Sequence, residues 1–156
     1  MVAVGEMVPE FESAANGGTT IALSSLRGKT VVLYFYPKDN TKGCTTEAQE
    51  FRDNYDAFRE LNVEILGVSR DSVKSHDNFV AKQELPFPLL SDPDENLCGI
   101  FDVIKEKNMY GRKVLGIERS TFVIDGEGTL IREWRKVRVK GHVEAVLAYV
   151  GSLNAE

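Results

Sequence analysis

The segment Val31–Glu50 constrains the fold more than any other part of the chain. It opens with six consecutive β-branched, aliphatic or aromatic residues, Val31–Tyr36, which are enough for a buried strand and too few for a helix. Pro37 ends this strand because it has no amide hydrogen for a sheet ladder. After a polar loop, apolar residues recur at helical spacing and predict a helix from Cys44 to about Leu61. Its buried face would carry Ala48, Phe51, Tyr55 and Phe58.

This arrangement places the thiol of Cys44 in the first turn of a helix that follows a central strand. A free thiol of ordinary acidity is only a few per cent thiolate at neutral pH, and the thiolate is the nucleophile. The positive end of a helix stabilises a nearby anion by roughly 0.3–1 kcal/mol, and its amide hydrogens can hold an oxyanion. Because this stabilisation is modest, a reactive cysteine here also requires a cation, and the best candidate type is arginine.

The remaining elements predict one α/β domain spanning residues 1–156. An Asn16-Gly17-Gly18 hairpin signal separates the alternating segments 9–12 and 19–23, and Tyr110-Gly111-Arg112 predicts a turn between two weak strands. Further strands are predicted at Val63–Ser69, Ser120–Asp125 and Leu130–Lys136, and further helices from Asp71 or Ser72 to Glu84, at Glu95–Phe101 and at His142–Leu153. This order is typical of a thioredoxin-like sheet.

Composition excludes several classes of function. The net charge of −5 argues against a nucleic-acid partner, and the basic run Trp134–Lys140 is interpreted as a solvated strand end. No segment approaches the roughly 18 apolar residues of a membrane span. Residues 1–12 lack the basic start of a secretory signal. Together with only two cysteines, this predicts a reducing compartment, and we expect the protein to be cytoplasmic.

Two nested motifs around the cysteine carry a family resemblance. Pro37-x-x-x-Thr41-x-x-Cys44 resembles the peroxidatic signature of the peroxiredoxins. The longer string Tyr34–Thr45 resembles their bacterioferritin comigratory protein, or peroxiredoxin Q, branch. The similarity extends over nearly the whole chain, through Asp53-Asn54, Leu66–Ser69, Leu89–Asp92, Arg119–Asp125 and Gly141-His142.

The resemblance implies a thiol peroxidase for hydrogen peroxide and organic hydroperoxides. Its implied fold is thioredoxin-like, with a central mixed β-sheet flanked by helices and an N-terminal hairpin extension. It implies no cofactor, and because relatives in this branch are often monomeric, we expect a monomer. The required partners are a peroxide substrate and an external thiol reductant, with no nucleic acid and no membrane.

The resemblance also assigns roles to individual residues. Cys44 is the expected nucleophile, which attacks a peroxide oxygen and becomes a sulfenic acid. The hydroxyl of Thr41 can hydrogen-bond the peroxide, and Pro37 fixes the loop and excludes water. Arg119 matches the family arginine that contacts the reactive sulfur and the substrate, and a fixed planar donor fork suits both tasks. Apart from the resemblance, the position of Glu47 one turn after Cys44 predicts that it orients an arginine and caps the first turn, where acids are favoured.

The chain departs from many relatives in its second cysteine. Relatives often carry a resolving cysteine at the position of Gln49 or near Val80, and both positions lack one here. We therefore favour a one-cysteine cycle in which glutathione, glutaredoxin or thioredoxin reduces the sulfenic acid. The alternative is a Cys44–Cys98 disulfide, which requires Cα atoms within about 7 Å or local unfolding.

Other functional classes fit the sequence less well. A disulfide reductase would have a Cys-x-x-Cys motif, which is absent. No metal is expected, because no pair among Cys44, Cys98, His76 and His142 has a metal-ligand spacing. A non-enzymatic thioredoxin-like module for binding or chaperoning remains the alternative from another class. Thiol-dependent consumption of peroxide distinguishes it from the enzyme.

Overall fold

A computed structural model describes residues 1–153 and confirms a mixed α/β architecture. Its strands are β1 Glu12–Ala15, β2 Thr20–Ala22, β3 Thr30–Phe35, β4 Val63–Ser69, β5 Leu89–Ser91, β6 Ile104–Met109, β7 Arg112–Ile117, β8 Ser120–Ile124 and β9 Leu130–Trp134. Its α-helices are α1 Lys42–Asp53, α2 Tyr55–Glu60, α3 Val73–Gln83, α4 Asn96–Phe101 and α5 His142–Leu153. No helix within residues 1–153 combines the length and apolar character that a membrane crossing requires.

Seven strands form one sheet in the order β2-β1-β5-β4-β3-β8-β9. Strand β3 pairs in parallel with β4 and antiparallel with β8, so the sheet is mixed as predicted. The hairpin β1–β2 extends one edge of this sheet. Strands β6 and β7 form a separate hairpin whose two turn residues, Tyr110 and Gly111, both have positive φ. The predicted turn at this point is therefore confirmed.

Side chains of β3 alternate between the two faces of the sheet, because successive strand residues point to opposite sides. Val31, Leu33 and Phe35 belong to a core that includes Leu97 and Phe101 of α4. We call this the α4 side. Val32, Tyr34 and Tyr36 belong to a second core, the α1 side, which is covered by α1, α2, α3 and α5. Both cores are closed to solvent, so β3 is buried on both faces.

The predicted helix from Cys44 to Leu61 was wrong in its extent. Helix α1 begins two residues earlier, at Lys42, and Asn54 separates it from α2. The side-chain amide of Asn54 donates a 2.9 Å hydrogen bond to the carbonyl oxygen of Glu50. An asparagine amide that competes for a helix carbonyl in this way favours a break in the helix.

Three strands differ from what the sequence predicted. Strand β1 begins at Glu12 rather than at Pro9, because proline cannot donate to the ladder. Strand β9 ends at Trp134, and the left-handed backbone of Lys136, with φ 51°, excludes a continuous strand to that residue. Strand β5 was not predicted, because three residues are too short to show a periodic pattern. The predicted bounds of β4 and α5 are confirmed.

Candidate active site

Cys44 is the third residue of α1, as the strand–loop–helix pattern predicted. The loop that precedes it leaves the carboxyl end of β3, and Thr41 is the helix N-cap residue. The side chain of Thr41 is exposed and does not cap the helix. Its hydroxyl donates instead to the carbonyl oxygen of Lys38 at 2.9 Å. The hydroxyl therefore stabilises the loop. The backbone N–H groups of the first helical turn stay available to donate to another group.

Arg119 is the predicted cation, and it reaches Cys44 from a distant part of the sequence. Pairing of Ser120 with Phe35 places Arg119 at the end of β3 where the cysteine loop begins. Its Nη2 donates to Cys44 Sγ at 3.4 Å. A side chain at Gly43 would place its Cβ 3.1 Å from the same nitrogen, so glycine leaves room for the guanidinium. The structure thus joins a helix N-terminus and a fixed cation at one sulfur.

Glu47 completes a three-residue cluster with Cys44 and Arg119. Its Oε1 accepts a 2.6 Å hydrogen bond from Arg119 Nη1, and its side chain is fully buried. Burial raises the pKa of the Glu47 carboxyl to about 7, although the Arg119 charge acts in the opposite direction. Burial alone would lower the pKa of Arg119, but the charges of Glu47 and Cys44 more than offset this and raise it. The guanidinium is therefore permanently charged, whereas Glu47 titrates near neutrality.

Two buried polar atoms near this cluster have no hydrogen-bond partner in the described part of the chain: Glu47 Oε2 and the hydroxyl oxygen of Tyr34. Burial, followed by the charge of Glu47, raises the pKa of Tyr34 well above its usual range. Tyr34 is thus a neutral phenol. Buried polar groups without partners are uncommon in folded proteins and concentrate at functional sites.

Comparisons with known proteins show the family to which this chain belongs. The AhpC/TSA family model matches residues 4–133. Peroxiredoxin Bcp of Xanthomonas campestris pv. campestris is 60% identical over 133 residues, which cover 85% of this chain and 83% of that protein. Peroxiredoxin Bcp of Bacillus subtilis is 51% identical over 146 residues, with 94% and 93% covered. The chain belongs to the AhpC/TSA family.

Solved structures place it in the peroxiredoxin Q branch of that family. A cysteine-to-serine variant of Xylella fastidiosa PrxQ superposes with a TM-score of 0.94 at 47% identity, covering 100% of this chain and 99% of that chain. The Xanthomonas campestris bacterioferritin comigratory protein, described for its alkyl peroxide reduction activity, gives 0.87 at 56% identity, with 91% and 90% covered. This peroxiredoxin is accordingly a thiol-dependent peroxidase with a thioredoxin-like fold.

Cys98 lies on the α4 side of the sheet, whereas Cys44 lies on the α1 side. Both are free thiols. Burial, followed by a hydrogen bond and negative charge from Asp92, raises the pKa of Cys98 far above its usual value. The backbone N–H of Cys98 also donates to Asp92 Oδ2 at 2.9 Å. The structure therefore separates the two thiols of this peroxiredoxin by the sheet itself.

The two positions that relatives use for a resolving cysteine are occupied by ordinary packing residues. Gln49 donates from Nε2 to Gln83 Oε1 at 2.8 Å and links α1 to α3. Val80 is half-buried and packs against the α1-side core. Neither position carries a side chain that could reduce a sulfenic acid.

The structure does not bring Cys44, Cys98, His76 and His142 together. His142 begins α5, its Nε2 lies 2.8 Å from Thr121 Oγ1, and burial, followed by the Arg119 charge, lowers its pKa to about 4. His76 instead bonds Asp39, a residue of the cysteine loop. Sequence reasoning missed this pair. The only signal was an acidic residue between Pro37 and Thr41, with no indication of its partner.

Proposed function

We propose that this peroxiredoxin reduces hydrogen peroxide and organic hydroperoxides by a one-cysteine cycle. The thiolate of Cys44 attacks the terminal peroxide oxygen, an S–O bond forms as the O–O bond breaks, and the other oxygen leaves as hydroxide or alkoxide. The proton released when the thiol ionised neutralises this leaving group. The products are Cys44 sulfenic acid and water or an alcohol. The observation that carries the proposal is the 3.4 Å contact between Arg119 and Cys44 Sγ at a helix start.

Each neighbouring residue has a defined part in this reaction. Arg119 stabilises the thiolate and the negative charge that develops on the leaving oxygen. Glu47 holds Arg119 through their 2.6 Å ion pair and so acts as a positioning residue. Thr41 presents its exposed hydroxyl at the loop surface, where it can accept the hydrogen of the peroxide. Pro37 restricts the loop backbone and shields the sulfur from water.

The second half of the cycle uses external thiols. One thiol attacks the sulfenic sulfur, releases water and forms a mixed disulfide, and a second thiol then frees Cys44 and leaves as the external disulfide. The location of Cys98 across the sheet supports this route, as does the high pKa of its thiol. We further propose that the protein is monomeric and acts in the cytoplasm, where such thiols are abundant.

A peroxide-consumption assay tests both parts of the proposal. Hydrogen peroxide and an alkyl hydroperoxide are each supplied with glutathione, glutaredoxin or thioredoxin systems, and consumption must depend on Cys44. The intact mass is then measured without reductant after one equivalent of peroxide. We expect the gain of one oxygen, which a sulfenic-acid trapping reagent captures. Quantitative loss of two hydrogens, without trapping, would reject the one-cysteine cycle and favour a Cys44–Cys98 disulfide.

A further inference from the structure

A buried polar network joins the cysteine loop to α3 and β5. Its centre is the pair Asp39 and His76, whose side chains are 1% and 0% exposed. His76 Nδ1 lies 2.8 Å from Asp39 Oδ2, and His76 Nε2 lies 2.9 Å from the carbonyl oxygen of Leu90. Asp39 also accepts hydrogen bonds from Tyr36 at 2.6 Å and from Ser75 at 2.8 Å. None of these groups takes part in the cycle described above.

Both ring nitrogens of His76 are held by oxygen atoms. A carbonyl oxygen can only accept, so Nε2 carries a hydrogen and donates it to Leu90. Nδ1 shares a hydrogen bond with the carboxyl of Asp39. Burial raises the pKa of Asp39, but hydrogen bonds from His76 and Tyr36 outweigh this and leave it below its usual value. The buried imidazole therefore links the cysteine loop to β5.

The same pair fixes the backbone of the cysteine loop. Asp39 lies midway between Pro37 and Thr41, the two loop residues proposed to form the peroxide pocket. Its backbone N–H donates to Asp71 Oδ2 at 2.9 Å, beyond the end of β4. The next residue, Asn40, has a left-handed φ of 64°, a conformation that asparagine tolerates better than most residues. Asp39 therefore ties the turn of this loop to α3 and to the segment after β4.

We propose that the buried hydrogen bond between His76 and Asp39 positions the loop residues of the peroxide pocket. It acts through the loop and touches neither the sulfur nor the substrate. Release of Asp39 would let Pro37 and Thr41 move, while the contact of Arg119 with Cys44 would remain. This inference rests on the proposed function, because the pocket it positions is the peroxide pocket.

A metal site is the competing explanation of this cluster. One ligand atom each from Asp39, Asp71 and His76 lie within 4.8 Å of one another. However, both ring nitrogens of His76 already face oxygen acceptors, so the ring offers no free lone pair to a metal. Asp71 Oδ2 likewise accepts from Ser69 at 2.6 Å as well as from the loop backbone. Hydrogen bonds within the protein therefore account for the cluster.

Two matched variants test the positioning role. In His76→Asn the amide nitrogen occupies about the place of Nδ1 and can still donate to Asp39. In His76→Gln the amide nitrogen extends towards Leu90 and cannot serve Asp39. We expect His76→Gln to lose about tenfold in the rate of Cys44 oxidation by peroxide, since small misplacements of a reacting group have effects of this size or larger. His76→Asn should stay within about threefold of wild type on the same reasoning.

The rate at which iodoacetamide alkylates Cys44 distinguishes a displaced peroxide pocket from a general loss of structure. Iodoacetamide uses the thiolate of Cys44 but not the peroxide pocket, so its rate should change less than about twofold in both folded variants, which is small beside the expected effect on peroxide. Equal losses in the peroxide and iodoacetamide rates of folded His76→Gln would overturn the proposal. A wild-type peroxide rate in that variant would overturn it as well.

Hydrogen exchange gives a readout that is independent of peroxidase activity. Exchange at the Asp39 amide should be faster in His76→Gln than in His76→Asn, because only the asparagine keeps a donor to Asp39. Equal exchange in the two variants would refute the inference, whereas a wild type with no peroxidase activity would refute the proposed function alone.

Discussion

Cys44 and Cys98 are almost equally hidden from solvent, with 1% and 0% of their surfaces exposed, yet the groups that bond them carry opposite charges. Cys44 sits at the start of a 12-residue helix and receives a hydrogen bond from a guanidinium. Cys98 sits on a 6-residue helix beside the carboxylate of Asp92. The comparison teaches that the charge of the nearest groups, rather than depth of burial, separates the two thiols chemically.

The same comparison explains why the reactive thiol lies on the α1 side of the sheet. Burial disfavours any charged sulfur, so a buried thiolate requires a cation that is already held in place. Arg119 satisfies this condition because Glu47 fixes its other nitrogen. Within residues 1–153 no comparable cation bonds Cys98, and its backbone N–H donates to Asp92. The buried side chain of Cys98 packs in the α4-side core, which supports the proposed one-cysteine cycle.

The largest expected effect comes from removing each thiol in turn. Cys44→Ser should reduce peroxide turnover to the uncatalysed background, because a serine hydroxyl is not ionised near neutral pH. Cys98→Ala should keep turnover within about twofold and lose on the order of 1 kcal/mol of stability from the small cavity. Turnover is measured with a coupled thiol assay and stability by urea unfolding. Peroxide turnover by Cys44→Ser, or a loss of turnover in folded Cys98→Ala, would contradict the assignment of Cys44 as the nucleophile and of Cys98 as dispensable.

Replacing Arg119 should make the surroundings of Cys44 more like those of Cys98. We expect Arg119→Ala to lower the rate constant for peroxide by about 10²-fold, a typical loss when a fixed donor to a developing charge is removed. Arg119→Lys should recover only part of the rate. The guanidinium bonds Glu47 and the Cys44 sulfur through two different nitrogens of one rigid plane, whereas lysine has a single ammonium nitrogen. Stopped-flow kinetics give the rates, and thiolate absorbance in the ultraviolet gives the ionised fraction. A wild-type rate in Arg119→Ala would exclude the cation from the mechanism.

Titration of Glu47 gives a smaller effect that appears in stability. Burial raises the pKa of its carboxyl from an ordinary 4.5 to about 7 in the folded protein, so between these pH values the folded state holds the proton more tightly than the unfolded state does. The stabilisation is fully present below pH 4.5 and is lost as the pH rises through about 7. Glu47→Gln should remove this contribution, which amounts to at most about 1.4 kcal/mol per pH unit, so the stability of the variant should rise with pH relative to that of the wild type. Urea unfolding over this pH range measures it, and parallel wild-type and variant curves would contradict it.

His142 should produce a slope of the opposite sign. Its pKa falls from 6.5 to about 4 on folding, so its contribution is complete above pH 6.5 and is lost as the pH falls towards 4. His142→Gln keeps a donor for Thr121 but does not titrate, and should flatten this acid-side loss. The pH ranges of Glu47 and His142 overlap between 4.5 and 6.5, where their opposite slopes should leave the wild-type stability nearly constant. Each variant should then show the slope of the group that it retains. An unchanged curve in His142→Gln would show that the ring is already solvated.

The sequence by itself determined the strand, loop and helix around Cys44. Six apolar residues, a proline and a helical repeat are contiguous, so local sterics and hydrophobic periodicity are enough to place the thiol in a first helical turn. The family motif then supplied Arg119 as the expected cation. The break at Asn54 and the short strand β5 escaped prediction, because a side-chain hydrogen bond decides the first and pairing with β4 decides the second.

Only the tertiary structure decided which groups meet. Pairing of β3 with β8 brings Arg119 to a sulfur 75 positions earlier in the chain, and packing of α3 brings His76 under Asp39. The sheet also places Cys98 on the face opposite Cys44, which its position in the sequence could not reveal. The physical reason is that local propensity acts over a few residues, whereas a buried charge is stabilised by partners that long-range strand pairing and packing deliver.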